Sequence, residues 1–246
     1  MMKSIDTYKA IGNITRTSLK YYVEAWRQSA FFIVLLCLIK ALLTCWLALV
    51  NSLWTSIPIY VLVSLSGLVL LGAAFYRIGR MIEANPVSYQ ASVLRIKQRF
   101  VSLVVATAII AIIVSIALYF SLEAMNHVAK GTSFLVMLFT AAFLGMLVIF
   151  ILLYCFYVLP LILLTDLTAG AAFIHSAHYA KTEWKKTFVL YGFAIFIIYL
   201  VIPITRHSAW LSGHYLLNLF ELVVLLLLLP LLMTMIIVSL QKMQEN

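Results

Sequence analysis

The chain alternates between long apolar runs and shorter polar stretches. The apolar runs fall at 29–50, 57–76, 101–122, 134–159, 187–204 and 215–240. Each is close to the roughly 20 residues that an α-helix needs to cross a hydrocarbon core. Three of the polar stretches carry a helical period of their own. In 5–27, Ile5, Tyr8, Ile11, Thr15, Leu19, Tyr22 and Trp26 recur at three- and four-residue steps, and Lys9, Arg16, Lys20 and Arg27 fall on another face. This is the pattern of an interfacial amphipathic helix, or of a cytoplasmic helix packed on the bundle. Basic amphipathic stretches at 86–99 and 168–186 likewise precede the third and fifth apolar runs.

The expected fold is therefore an all-α membrane protein, a six-span helical bundle with cytoplasmic amphipathic surface helices. Residues 1–28 are the first surface helix, 29–240 a single membrane domain, and 241–246 a cytoplasmic tail. Residues 1–28 do not read as a cleavable signal, because the apolar run that follows is too long and starts too late. RFVSLVVATAI at 99–109 and TFVLYGFAIFI at 187–197 read alike, which predicts three units, each a surface helix followed by two spans.

Composition supports the bilayer as solvent. Hydrophobic residues make up 65% of the 246-residue chain and charged residues 10%, against about 25% charged in soluble domains. The net charge of +9 then speaks of orientation before it speaks of nucleic acid, and no nucleic-acid partner is expected. Of the 17 Lys and Arg residues, 14 lie in 1–28, 77–100, 160–186 and 241–246. Only Lys130 and Arg206 lie in the alternate segments, and Lys40 is inside a span. By the positive-inside rule both termini are cytoplasmic, in a multi-pass protein of a bacterial inner (plasma) membrane. Trp46, Trp54, Trp210 and Tyr215 then form the outer aromatic belt. Cys37, Cys45 and Cys155 all fall in apolar runs without metal-site spacing, so neither a disulfide nor a zinc site is expected.

The stretch richest in side-chain chemistry is PLILLTDLTAGAAFIHSAHYAKTEWKKTF at 160–188. It leaves the fourth run at Pro160, offers Asp166 or Thr168 as an N-cap, and exits through Lys181, Lys185 and Lys186. In PLILLTD at 160–166, in Ser176 within FIHSAHYAKTEW, and in Trp184 ahead of the fifth run, the chain resembles the YciC-like group of uncharacterised bacterial inner-membrane proteins. The resemblance spans the chain in topology and about 25 residues in motif. It implies an inner-membrane protein with an envelope role and supplies no catalytic residues.

Candidate sites follow from charge placed where charge is expensive. Lys40 and Glu221 are the ionisable residues set inside spans. An unpaired Lys near the bilayer centre costs at least about 2.5–3.5 kcal/mol. Lys40 is therefore expected to face the bundle, either paired with Glu221 or hydrogen-bonded to backbone carbonyls with Glu221 exposed at the interface. Arg77, Arg80, Arg95, Lys97 and Arg99 are placed to meet anionic headgroups, as are Lys185 and Lys186. Asp166 is expected to cap the surface helix or to accept a proton or cation at a cytoplasmic cavity. Glu123, His127, His207 and His214 would make a mixed carboxylate–imidazole site if their loops met. No spacing motif supports that site, and His175 and His178 read as the polar edge of the surface helix, so no metal or cofactor is assigned.

There is no Gly-rich phosphate loop, HExxH or GxSxG, and the expectation is a non-enzymatic protein serving envelope or lipid homeostasis. Its partners would be membrane lipids, anionic ones included, with room for a membrane-protein partner or a second copy of the chain. The alternative is a small transporter or permease subunit with a central path near Lys40 and Glu221, to which Pro203 and Pro230 also point.

Overall fold

The structure is a computed structural model. It describes the backbone of 2–49, 53–128, 134–207 and 214–244, and the side chains of most of 11–42, 61–116, 143–197 and 223–242. The described chain is all-helical: α1 (Met2–Leu49), α2 (Leu53–Ile82), α3 (Tyr89–Val128), α4 (Phe134–Cys155), α5 (Val158–Leu164), α6 (Ala169–Thr182), α7 (Trp184–His207) and α8 (His214–Gln244).

Among the described residues, four stretches are long and apolar enough to cross a membrane: Ile11–Ile39, Ser64–Ile82, Tyr89–Ile116 and Val223–Lys242. A fifth apolar stretch, Val148–Leu164, is shorter. The outward face of this bundle is itself apolar. Val101, Phe139, Phe143 and Met146 are each 66–74% exposed, and such a surface suits lipid rather than water.

The break expected between the first surface helix and the first run is not there, and α1 continues through residue 28 as one 48-residue helix. After Gly12 the sequence to Leu49 contains neither Gly nor Pro. Ser29, which could have stopped the helix as a cap, instead donates its hydroxyl to the Ala25 carbonyl at 2.7 Å, four residues back. The same happens in α3, where 86–99 and the third run merge, with only Pro86–Ser88 left outside the helix. Only the third junction breaks, at Glu183 between α6 and α7.

Helix α1 runs antiparallel to α8. Ile14 clusters with Met235 and Val238, and the Tyr22 hydroxyl donates to the Leu227 carbonyl at 2.8 Å. That bond falls one turn before Pro230, where the missing proline N–H and the ring disturb the helical ladder. Helix α1 is also antiparallel to α2, where Leu36 lies 3.5 Å from the position of a Cβ on Gly67 and Gln28 meets Arg77.

The tightest packing surrounds the second half of α8. Leu232 to Leu240 are all buried, and Leu232, Met233, Ile236, Ile237 and Leu240 share one core with Ala73, Ala74 and Ile78 of α2 and Val158, Leu161 and Ile162 of α5. Close approach of α5 and α3 to α2 depends on small residues of α2. A Cβ on Gly79 would overlap the end of Leu164, and one on Gly72 would lie 3.0 Å from Ile96.

The turn after α2 is set by Asn85 and Ala84, whose N–H groups return to the Arg80 and Met81 carbonyls at 2.8 and 3.0 Å. This is a Schellman-type stop closed by Pro86. Ala84 takes the left-handed position, at φ 57°.

Candidate functional site

Most described basic residues lie in two clusters, one where the C-terminal end of α2, the start of α3 and the α5–α6 connection meet, and the other at the α6–α7 junction. These cations fall into three groups: one is buried, some are paired with carboxylates, and the rest are exposed.

Arg77 is only 8% exposed. Its Nε donates to Gln28 Oε1 at 3.0 Å, and its Nη2 donates to the same oxygen. The guanidinium carbon stands 3.6 Å from the centre of the Tyr89 ring, which in turn packs on Phe31 and Phe32. A buried cation is thus held by a neutral amide and an aromatic face, with Nη1 left without a protein partner. Arg77 does not reach the surface as a headgroup-facing residue must. Its side chain is long enough to leave a helix end, but Gln28 and Tyr89 hold it inward. No spacing in the sequence links these three positions.

Arg80 pairs with Glu83 at 2.5 Å, one turn on. Arg95 donates to the Leu163 and Thr165 carbonyls at 3.4 and 3.3 Å and to Asp166 Oδ1 at 3.1 Å. Arg99 donates to the same carboxylate oxygen. The two arginines therefore close the C-terminal end of α5, where orphan carbonyls and the helix dipole favour a cation. Hydrogen bonds from Arg95 and then Arg99 hold the Asp166 carboxyl below the usual carboxylate range. Asp166 is not a cap. The N-cap position of α6 belongs to Thr168, which makes no side-chain capping bond, and Asp166 is taken by the arginines of α3.

Ser176 is fully buried. Its hydroxyl donates to the Tyr154 carbonyl at 2.5 Å and accepts from the Tyr157 N–H at 3.1 Å. It thereby satisfies the backbone where α4 stops and α5 begins. Helix α6 reaches this point because its inner face is made of small residues, Ala169, Ala172, Ser176 and Ala180, all buried. Alongside, the Tyr157 hydroxyl lies 3.3 Å from Thr187 Oγ1, tying α5 to α7.

At the α6–α7 junction Lys186 pairs with Glu183 at 3.0 Å. Lys185 is exposed, its ammonium 5.9 Å from the Trp184 ring centre. Lys181 is exposed too, as is Lys97 on α3. Among the described residues neither Lys181 nor Lys185 has a carboxylate partner.

The side chains of Lys40, Glu221, His127, His207 and His214 lie outside those described, and Glu123 is exposed on α3. The pairing of Lys40 with Glu221 and the mixed carboxylate–imidazole site both fall on those residues. No protein-family model, curated protein or solved structure matches the chain.

Proposed function

We propose that this chain is a non-enzymatic, six-span protein of the bacterial inner membrane, with both termini cytoplasmic. In this reading it serves envelope or lipid homeostasis by holding anionic lipid against the basic end of its bundle, in a layout similar to the YciC-like proteins. To the four long apolar stretches the reading adds α4 and α7, of 22 and 24 residues, each long enough to cross on a 1.5 Å rise.

The observation that carries it is the division among the cations. Arg80, Arg95, Arg99 and Lys186 are matched by carboxylates, and Arg77 is buried. Lys97, Lys181 and Lys185 remain exposed beside apolar surface made by residues such as Val93, Trp184 and Phe188. Cations of this kind suit a lipid headgroup layer, where each contributes about 1 kcal/mol toward an anionic surface.

Mass spectrometry of lipid retained through purification tests the reading. Enrichment of anionic phospholipid over its share of the source membrane is expected. Retained lipid of bulk composition, together with gradient-driven uptake of a solute into vesicles, would overturn it in favour of a transporter.

A further inference from the structure

A groove of about 580 Å³ runs between α4 and α7 and ends at α6. Its walls are apolar, from Met146, Ile149, Phe150 and Leu153 on one side to Phe188 on the other, and Lys181 and Trp184 stand at its α6–α7 end. Met146 to Tyr154 is two turns of helix, so the groove extends about 12 Å along α4 on a 1.5 Å rise. That volume lies within the roughly 300–1,000 Å³ of small-molecule sites. The shape is amphiphilic, with a long apolar trough and positive charge at one end only. Trp184 is 60% exposed and joins the two parts, with its ring against the trough and Lys185 beside it.

A second groove of about 360 Å³ between α2 and α3 provides the contrast. It is lined by Val61, Ser64, Leu65, Leu68, Val104, Thr107, Ala108 and Ala111, with no charge at either end. Any acyl chain fits such a surface, and nothing there selects a headgroup.

We propose that the α4–α7 groove is a binding site for one anionic phospholipid. An acyl chain lies along Met146, Phe150 and Phe188, and the phosphate lies at Lys181 and Lys185. The occupant is argued from charge complementarity. Lys181, without a carboxylate partner among the described residues, lines the end of an apolar trough. Lys185, also without one, stands 5.9 Å from the ring centre of Trp184 at that end, whereas the neighbouring Lys186 is neutralised by Glu183. A zwitterionic lipid fills the trough equally well but brings its own cation to the lysines. The proposal rests on the lipid-binding reading above and deepens it to a site.

The test uses Trp184 as its own reporter. Trp26, Trp46, Trp54 and Trp210, the other four tryptophans, are changed to Phe. The protein is placed in vesicles of phosphatidylcholine containing a fraction of brominated phosphatidylglycerol or brominated phosphatidylcholine. Quenching of Trp184 should favour the brominated anionic lipid by roughly fivefold or more. K181Q/K185Q should bring that preference to about one. A tryptophan introduced by V61W in place of Trp184 should show no preference at all.

Equal quenching of Trp184 by the two lipids overturns the site. If anionic lipid is still enriched on the purified protein, the site alone falls. If bulk lipid is retained as well, the functional reading falls with it. Native mass spectrometry of the otherwise unaltered protein asks the same question without the tryptophan changes. One anionic phospholipid per chain should survive, and should be lost in K181Q/K185Q. Retention in that variant overturns the proposal.

Discussion

Single residues decide what the charge at the basic end can do. Among the described residues the partners of Arg77 are neutral, so removing Gln28 should hurt more than removing the charge as well. Gln28→Leu leaves the guanidinium without its acceptor, and a loss of about 1–3 kcal/mol is expected. Adding Arg77→Met to it should recover part of that loss, since replacing both polar partners of such a contact by apolar groups is nearly neutral. Thermal unfolding of the single and double variants in detergent measures this, and strictly additive losses would mean that the contact is not energetically coupled.

Asp166 gives a pH dependence of definite sign. Its folded pKa lies below its unfolded value because Arg95 and Arg99 hydrogen-bond the ionised form. Its contribution to stability is therefore present above the ordinary carboxylate pKa of about 3.9 and is lost as the pH falls through the depressed one. Asp166→Asn should lower stability slightly at neutral pH, by little because the carboxylate is 81% exposed and screened. It should leave stability unchanged below the depressed pKa, so that the acid side of a stability–pH profile flattens. At this scale the sequence was legible in kind only. The basic residues stood out, but Arg77 and Gln28 are 49 positions apart and Arg99 and Asp166 are 67, and no local spacing signals such contacts.

At the scale of elements, the apolar runs located the helices but not their joints. The period of 5–27 predicted a helix, and the described part is helical. Its inward face, however, is Ile14, Ser18, Ala25 and Ser29, not the larger Leu19 and Trp26, which are 55% and 40% exposed. A hydrophobic stripe in a membrane protein points to lipid as readily as to the core, and small residues mark the packed side. The same inversion holds in α6, whose inner face is Ala and Ser while Ile174 is 73% exposed. The break between α4 and α5 was expected at Pro160 and lies at Phe156–Tyr157, because proline is tolerated in the first turn of a helix.

Ser176 holds that break together. Ser176→Ala should leave the Tyr154 carbonyl and Tyr157 N–H short of a partner and cost about 1–3 kcal/mol. Hydrogen exchange should show the loss centred on α5. An exchange pattern unchanged from the parent would mean that water replaces the hydroxyl.

For the whole molecule, the governing fact is that the outward surface is apolar like the core, as lipid rather than water requires. The outward faces of α3 and α4 are apolar. The buried polar atoms Ser92, Ser176, Thr187 and Thr234 sit where helices meet, three of them donating to a carbonyl three or four residues back on their own helix or its flank. Compositional bias and run length made this legible from the start. The packing of α1 along α8 was not, because it brings together the two ends of the chain.

The central claim is that α4 and α7 join the four long apolar stretches as spans and that every basic connection faces the cytoplasm. Reporter fusions along the chain test it most directly. Fusions after residues 90, 170 and 246 should report cytoplasm, and fusions after 54, 128 and 210 the outside, as the 14-to-2 division of Lys and Arg requires. A fusion after residue 170 that reports the outside would contradict both the six-span threading and the placement of the lysines of 181–186 at the inner leaflet.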